Sequence, residues 1–539
     1  MAITRPIKRA SARLAGCASI RPRHQPSEYY AARRCLLAAC TALLIATNLP
    51  SAHAQKWTID PSVAVESTVT DNVDLVSSDR RRSDWVNQFT PAVSFTERGA
   101  HTQFQGSISV PILVYLRTGS ENNYVAPAVN IAGTVEAIDR WLYIDAAADV
   151  SQQFLSPFGA QPTNLSSATQ NRYTAQSYRI SPYIKRSLAD GIDYEVRQSS
   201  LWTDANATGI QNSGRAFTNE VSGHVGREAR PVGWRAEYNW TDSDFQDSRG
   251  SETLQIGRVR GLHRPDPAVE VSASVGYEDN DFFFTQERGV TYGAGIRWHP
   301  NERTGVDAMW EHRFFGASYH VTADHRTPLS VWSISASRDL STYPQQIASL
   351  PQGSNVSALL NSLFSSQFPD PTQRQSFVDQ IIRERGLPAT LNSPVSLFSR
   401  QTTLVESFNA TAGLIGARNS IFFTAYRLRN QPVQSPENAN LSQLLTDLLD
   451  NTQLGTNVVW SHQLTPIARF SAAADWSRTT ANSEPNQVTR QYSLRAVVST
   501  ALSTLTNVYA GVRYQDSNTD VFDSYRELAA FVGLTHTFH

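Results

Sequence analysis

Over most of the chain, apolar residues recur at every second position. Within 304–315 (TGVDAMWEHRFF) the even residues Val306, Ala308, Trp310 and Phe314 are apolar, and Asp307, Glu311 and Arg313 alternate with them. Within 467–477 (IARFSAAADWS) Phe470, Ala472, Ala474 and Trp476 share one face opposite Arg469, Ser471, Asp475 and Ser477. The same code runs through VEVSASVGYE, TYGAGIRW, SVWSISASR and QYSLRAVVS. A period of two puts successive side chains on opposite faces of a strand. Each run is about as long as a strand tilted across a bilayer, roughly 9–11 residues.

Tight polar turns join many of these strands in pairs: ERGAH, RSLADG, REARPVG, HPNERTG, ADHRTPL and ARNS. Longer polar stretches such as TTANSEPNQVT separate the pairs. Short connections on one side and long ones on the other are the wiring of an outer-membrane barrel, with its termini and short turns in the periplasm. The pattern predicts an all-β fold, a closed antiparallel transmembrane β-barrel of about 22 strands (bounds 20–24) over 55–539. The first strand falls near 57–69 and the last ends at Phe538.

The closing stretch ELAAFVGLTHTFH alternates in the same way, with Leu528, Ala530, Val532, Leu534 and Phe538 on one face. Hydrocarbon offers no water to an open sheet edge, so the first and last strands are expected to pair. The terminal aromatic, Phe538, resembles the signal by which outer-membrane proteins are recognised by their barrel-assembly machinery; His539 after it is a small departure.

Two segments break the alternation. Within 434–453, Leu441, Leu444, Leu445, Leu448 and Leu449 form a helical apolar stripe. The stretch 340–401 reads as helix and loop, with Asp370 as an N-cap, Pro371 at the first helical position, and Gly386 and Pro388 as the stop. Strand parity puts both helical inserts on the long-loop side. There they would form a cap, dip into the lumen, or bury their stripes on each other.

Composition adds a compartment. No run in the mature chain reaches the roughly 18 apolar residues of a spanning helix. Residues 1–54 read as a signal peptide: Arg33 and Arg34, the apolar run CLLAACTALLIAT, then SAHA with cleavage expected after Ala54. All three cysteines (Cys17, Cys35, Cys40) fall in this leader, so the mature chain holds no disulfide and no thiolate metal site. The leader also carries eight Arg or Lys against one Glu, which takes the formal charge from -1 to about -8 on cleavage. That leaves no electrostatic footprint for nucleic acid.

The start of the mature chain carries Trp57, Pro61, Glu66, the Thr70-Asp71-Asn72 triplet, Pro91 and Gly99. With the insert FPDPTQRQSFVDQIIRERGLP, these features resemble the outer-membrane β-barrel proteins associated with PEP-CTERM and exosortase systems in exopolysaccharide-producing Proteobacteria. The resemblance implies an outer-membrane location and a link to polysaccharide export or surface-protein sorting, with polysaccharide or export-system components as partners. It brings no catalytic residues.

Site chemistry is sparse. No G-x-S-x-G elbow, H-E-x-x-H pair or phosphate loop occurs. His312, His320 and His325 have acidic neighbours, but strand parity sends His320 and His325 to opposite faces. Asp71-Asn72 reads as a strand-end Asx turn before it reads as a calcium ligand pair. No catalytic, cofactor or metal site is expected, and the chain is read as a non-enzyme. The functional surface is the lumen face, which by parity holds Arg297, Asp307, Glu311, Arg313, Ser333, Ser335, Ser337, Arg469, Ser471, Asp475 and Arg495. Mixed charges suit a hydrated passage for polar solutes, or they pair across the lumen and hold its shape. Trp298, Trp310, Trp332 and Trp476 would anchor the lipid face. A closed surface scaffold that binds a partner through its inserts is the main alternative, and an outer-membrane hydrolase a distant third.

Overall fold

The computed structural model describes residues 56–539 except 189–190, 205–214, 246–250, 283–285, 343–344, 434–449, 484–486, 521 and 539; within 347–401 it describes 356, 360–361, 364, 374 and 378. Every barrel strand pairs antiparallel with its chain neighbours, and Lys56–Thr70 pairs with Tyr525–Thr537 to close the sheet. Two staves are interrupted. Thr102–Ser109 and Ile112–Tyr115 both pair with Asp84–Arg98, and Tyr124–Val125 with Ala128–Ile138 makes the next stave. Pro111 sits in the first break, where a residue without an N–H leaves the ladder. The result is a closed antiparallel barrel of 22 strands.

Register fixes the faces as the alternation requires. Trp57, Trp298 and Trp332 point outward near the short-turn ends of their strands, and Trp85, Trp202, Tyr277 and Tyr292 near the opposite ends. Between them Ile296, Ile334, Leu494, Val498 and Val532 are exposed. A closed sheet with an apolar outer band between two aromatic girdles is built to sit in lipid. The exposed hydrophobics are therefore the lipid face of a transmembrane barrel, and the chain resides in the outer membrane.

Two insert boundaries need correction. The strand Ser330–Ser341 takes up Leu340, and Asn451–Gln463 takes up Asn451, Thr452 and Gln453, so neither predicted insert reaches as far as the sequence pattern suggested. Strand pairing continues there because Leu340 and Gln453 find partners in Leu404 and Leu428. The leucine stripe itself and the Asp370–Pro388 helix limits lie outside the described residues. Gln345, Gln346, Val356, Leu360, Asn361, Arg374 and Val378 are helical. The last strand ends at Thr537, one residue before Phe538, whose N–H donates to Pro61 O at 2.8 Å.

Candidate functional site: the barrel interior

The charged and hydroxyl residues assigned to the lumen lie opposite the outward apolar row. Arg297 and Asp307 face each other between Ile296, Trp298 and Trp310; Ser333 and Ser335 alternate with Trp332 and Ile334; Arg469, Asp475 and Arg495 lie opposite Phe470, Trp476 and Leu494. Their surroundings differ greatly. Glu311 and Arg313 are buried, whereas Arg297, Arg495 and the nearby Asp324 and His320 are exposed on the inner face.

One side of the interior is a ladder of ion pairs. Arg258 forks onto Glu311, with Nε and Nη2 at 2.7 and 2.8 Å from the two carboxylate oxygens, although two strands lie between them. Gly276 lies beneath the Arg258 side chain: a Cβ there would come within 2.9 Å of Arg258 Cγ and 2.3 Å of Gly257 O. Arg313 holds Glu278 Oε2 at 2.7 and 3.0 Å and Asp339 at 2.5 Å. Nearer the short-turn end, Arg264, Glu270, Arg297 and Asp307 form a chain with links of 2.5, 3.2 and 3.2 Å. Bidentate Arg–carboxylate pairs of this kind fix both partners, so these charges shape the wall as well as line it. Sequence parity gave the face of each residue; the pairing across non-neighbouring strands had no signal in the sequence.

The opposite side is covered. On Thr403–Ile415, Asn419–Pro432 and Asn451–Gln463 the inward residues Thr411, Thr424, Tyr426, Leu428, Asn457 and Val459 are all buried, which an open pore wall would not allow. Val356, Leu360 and Val378 cover part of it. All three are fully buried in one cluster with Val331, Ile415, Phe422 and Val459. Val331 and Ile415 lie near the short turns at 327–329 and 416–418, whereas the chain of this insert leaves the wall at Ser341 and returns at Thr403, the other end of the same strands. These helical residues thus reach down the lumen to its periplasmic half. At the root of the insert, Thr402 Oγ1 donates to Glu252 Oε2 at 2.7 Å, a strand far around the barrel.

A second connection, 155–171, also folds inward. Thr489 and Gln491 donate to the carbonyls of Phe158 and Gly159, at 3.3 and 3.0 Å. Arg513 and Glu527, paired at 3.0 Å, are joined by Ser167 and Thr70. Arg495 stacks over Phe531, its guanidinium 4.9 Å from the ring centre. The interior is therefore narrowed from two sides, and the partly exposed wall that remains runs through the ion-pair ladder and Ser333, Ser335, Thr322, Asp324 and His320.

His312 stacks outward on Tyr292 and His325 bonds Thr304, so neither converges with inward His320. Asp71 accepts from Leu528 N at 2.8 Å, and Asn72 bonds Val76 and Arg526 backbone atoms, which makes the pair a strand-joining clasp. Among the described residues, His101, Glu136 and Asp139 are the one group whose ligand atoms come together, at an exposed short-turn position.

No protein-family model matches the chain, and no curated protein matches it. Among solved structures it is similar in fold to the apoprotein form of the FrpB iron transporter from Neisseria meningitidis (F5-1 variant), with 6% identity, TM-score 0.50, and coverage of 89% of this chain and 81% of that one. The siderophore receptor PirA from Acinetobacter baumannii aligns with 8% identity over 89% and 80% of the two chains at TM-score 0.45. Pseudomonas aeruginosa OpdO aligns with 8% identity over 89% and 98% at TM-score 0.32. The closed sheet and its outward apolar band define the class, an outer-membrane β-barrel.

Proposed function

We propose that this barrel is a constricted passive passage for polar solutes. The carrying observation is the contrast between the two sides of the interior: one wall largely buried, with Val356, Leu360 and Val378 clustered against part of it, the other polar, charge-balanced and partly exposed. Near-equal numbers of paired acids and bases favour neutral or zwitterionic polar solutes over a strongly ion-selective current. Oligosaccharides fit that description. The resemblance of the mature N-terminal stretch and the insert to the PEP-CTERM-associated barrels supports a place in exopolysaccharide export or surface-protein sorting. The buried part of that wall supports a second reading, a closed scaffold at the cell surface.

Planar-bilayer conductance of the refolded chain from Gln55 separates the two. It is compared with a variant in which 343–401 is replaced by a short loop. A small stable conductance that grows on replacement supports the passage with the insert as its constriction. Silence in both forms refutes it and leaves the scaffold. Swelling of proteoliposomes in neutral oligosaccharides of increasing size then gives the substrate cutoff.

A further inference from the structure

On the lipid-facing side, Arg478 and Arg490 stand directly opposite each other on the neighbouring strands Ala468–Ala481 and Val488–Ala501. Both are exposed. Like charges directly opposite on adjacent strands repel. Among the described residues neither arginine forms an ion pair. The row continues from Arg490 to Asn518 on one side and from Arg478 through Leu454 to Arg427 on the other. Arg427 is held by Glu406 at 2.9 Å. One pair further out on the same face, Arg429 has a buried Nε with no hydrogen-bond partner.

The depth of this row matters. Trp476 and Tyr492 form the outward pair two residues nearer the middle of the same strands, so the arginines lie about 7 Å further along, at roughly 3.3 Å per residue. That is beyond the aromatic girdle on the long-connection side, the level of the outer-leaflet headgroups. Below it the face is apolar, with Leu494, Val458 and Phe423 exposed. A guanidinium fork matches a phosphate bidentately. A phosphate placed between Arg478 and Arg490 would turn their repulsion into two charge-assisted contacts, while the acyl chains of the same molecule lay on the apolar band.

We propose that Arg478 and Arg490, flanked by Arg427, form a docking site for the phosphate-bearing headgroup of an outer-leaflet glycolipid. The test uses the full mature barrel in a neutral maltoside detergent, with diphosphorylated lipid A as probe. Retention is read by native mass spectrometry and thermal stability by loss of heat-modifiable mobility. Wild type is expected to retain lipid A and melt at a higher temperature with it. R478Q/R490Q should bind at least tenfold more weakly, R478K/R490K should fall between, and R140Q, an exposed turn arginine, should match wild type. Should the double glutamine variant fail to refold, R478Q and R490Q are measured singly, each with a several-fold loss expected. Equal retention by the glutamine variants overturns the site. Equal retention of dephosphorylated lipid A overturns the phosphate contact, and equal stabilisation by phosphatidylglycerol or inorganic phosphate overturns the glycolipid assignment.

Discussion

Thr402 Oγ1 lies 2.7 Å from Glu252 Oε2, both side chains buried, although the strand that Thr402 precedes and the strand of Glu252 are separated by five others around the barrel. A hydrogen bond between non-neighbouring staves crosses the interior, and here it ties the root of the 340–401 insert to the far wall. Removing the donor leaves a buried carboxylate short of a partner, at a cost of ~1–3 kcal/mol. Thr402→Val is therefore expected to lower urea stability in detergent by about that amount, and Thr402→Ser to recover most of it.

Phe422 is a fully buried wall residue in the cluster that holds the insert side chains Val356, Leu360 and Val378. Truncating a buried phenylalanine costs ~3–5 kcal/mol where the surroundings do not collapse. Because that loss falls on the insert contact and not on the strand ladder, Phe422→Ala should keep the folded, heat-modifiable barrel. Single-channel recordings should show larger or flickering conductance. A variant indistinguishable from wild type in current would separate the insert from the constriction.

Arg513 and Glu527 are paired at 3.0 Å and almost wholly buried. Breaking such a pair from one side strands a charge, at ~3–5 kcal/mol, whereas replacing both partners is often close to neutral. Arg513→Met alone and Glu527→Leu alone should each destabilise clearly, and the double variant that combines them much less than their sum. Chemical unfolding of the four proteins completes the cycle.

The Arg258–Glu311 fork balances charge on the open wall. Arg258→Gln leaves Glu311 without its main cation, and Glu311→Gln does the reverse. In a potassium chloride gradient the reversal potential should move toward cation preference in the first and toward anion preference in the second. Shifts in the same direction, or none, would place this pair outside the conducting path.

Phe538 packs edge-on against His536, with ring centres 4.7 Å apart, beyond the last ladder residue. Its contribution to the finished barrel is small by geometry. If it serves as the recognition signal for assembly, Phe538→Ala should reduce surface-assembled protein in cells while detergent refolding in vitro stays at the wild-type level. Equal loss in both assays would make it a structural residue instead.

Period-two alternation determined a great deal on its own. It gave the barrel, the number of staves, the lipid-facing row around Trp298 and Trp332, and the inward row holding Arg297, Asp307 and Glu311. In a strand, which face a residue takes is a local property, set by the pleat and readable one residue at a time. What lies opposite an inward residue across the lumen is a different kind of fact. That Arg258 reaches Glu311 past two intervening strands, that Ser167 joins Glu527, or that Val356 and Leu360 share a buried cluster with Phe422 depends on the curvature and closure of the whole sheet. Those bring together residues between 50 and 360 positions apart with no periodic relation in the chain. The repelling pair Arg478 and Arg490 belongs to the same kind: each is an unremarkable outward arginine by parity, and only the register of two neighbouring strands sets them face to face.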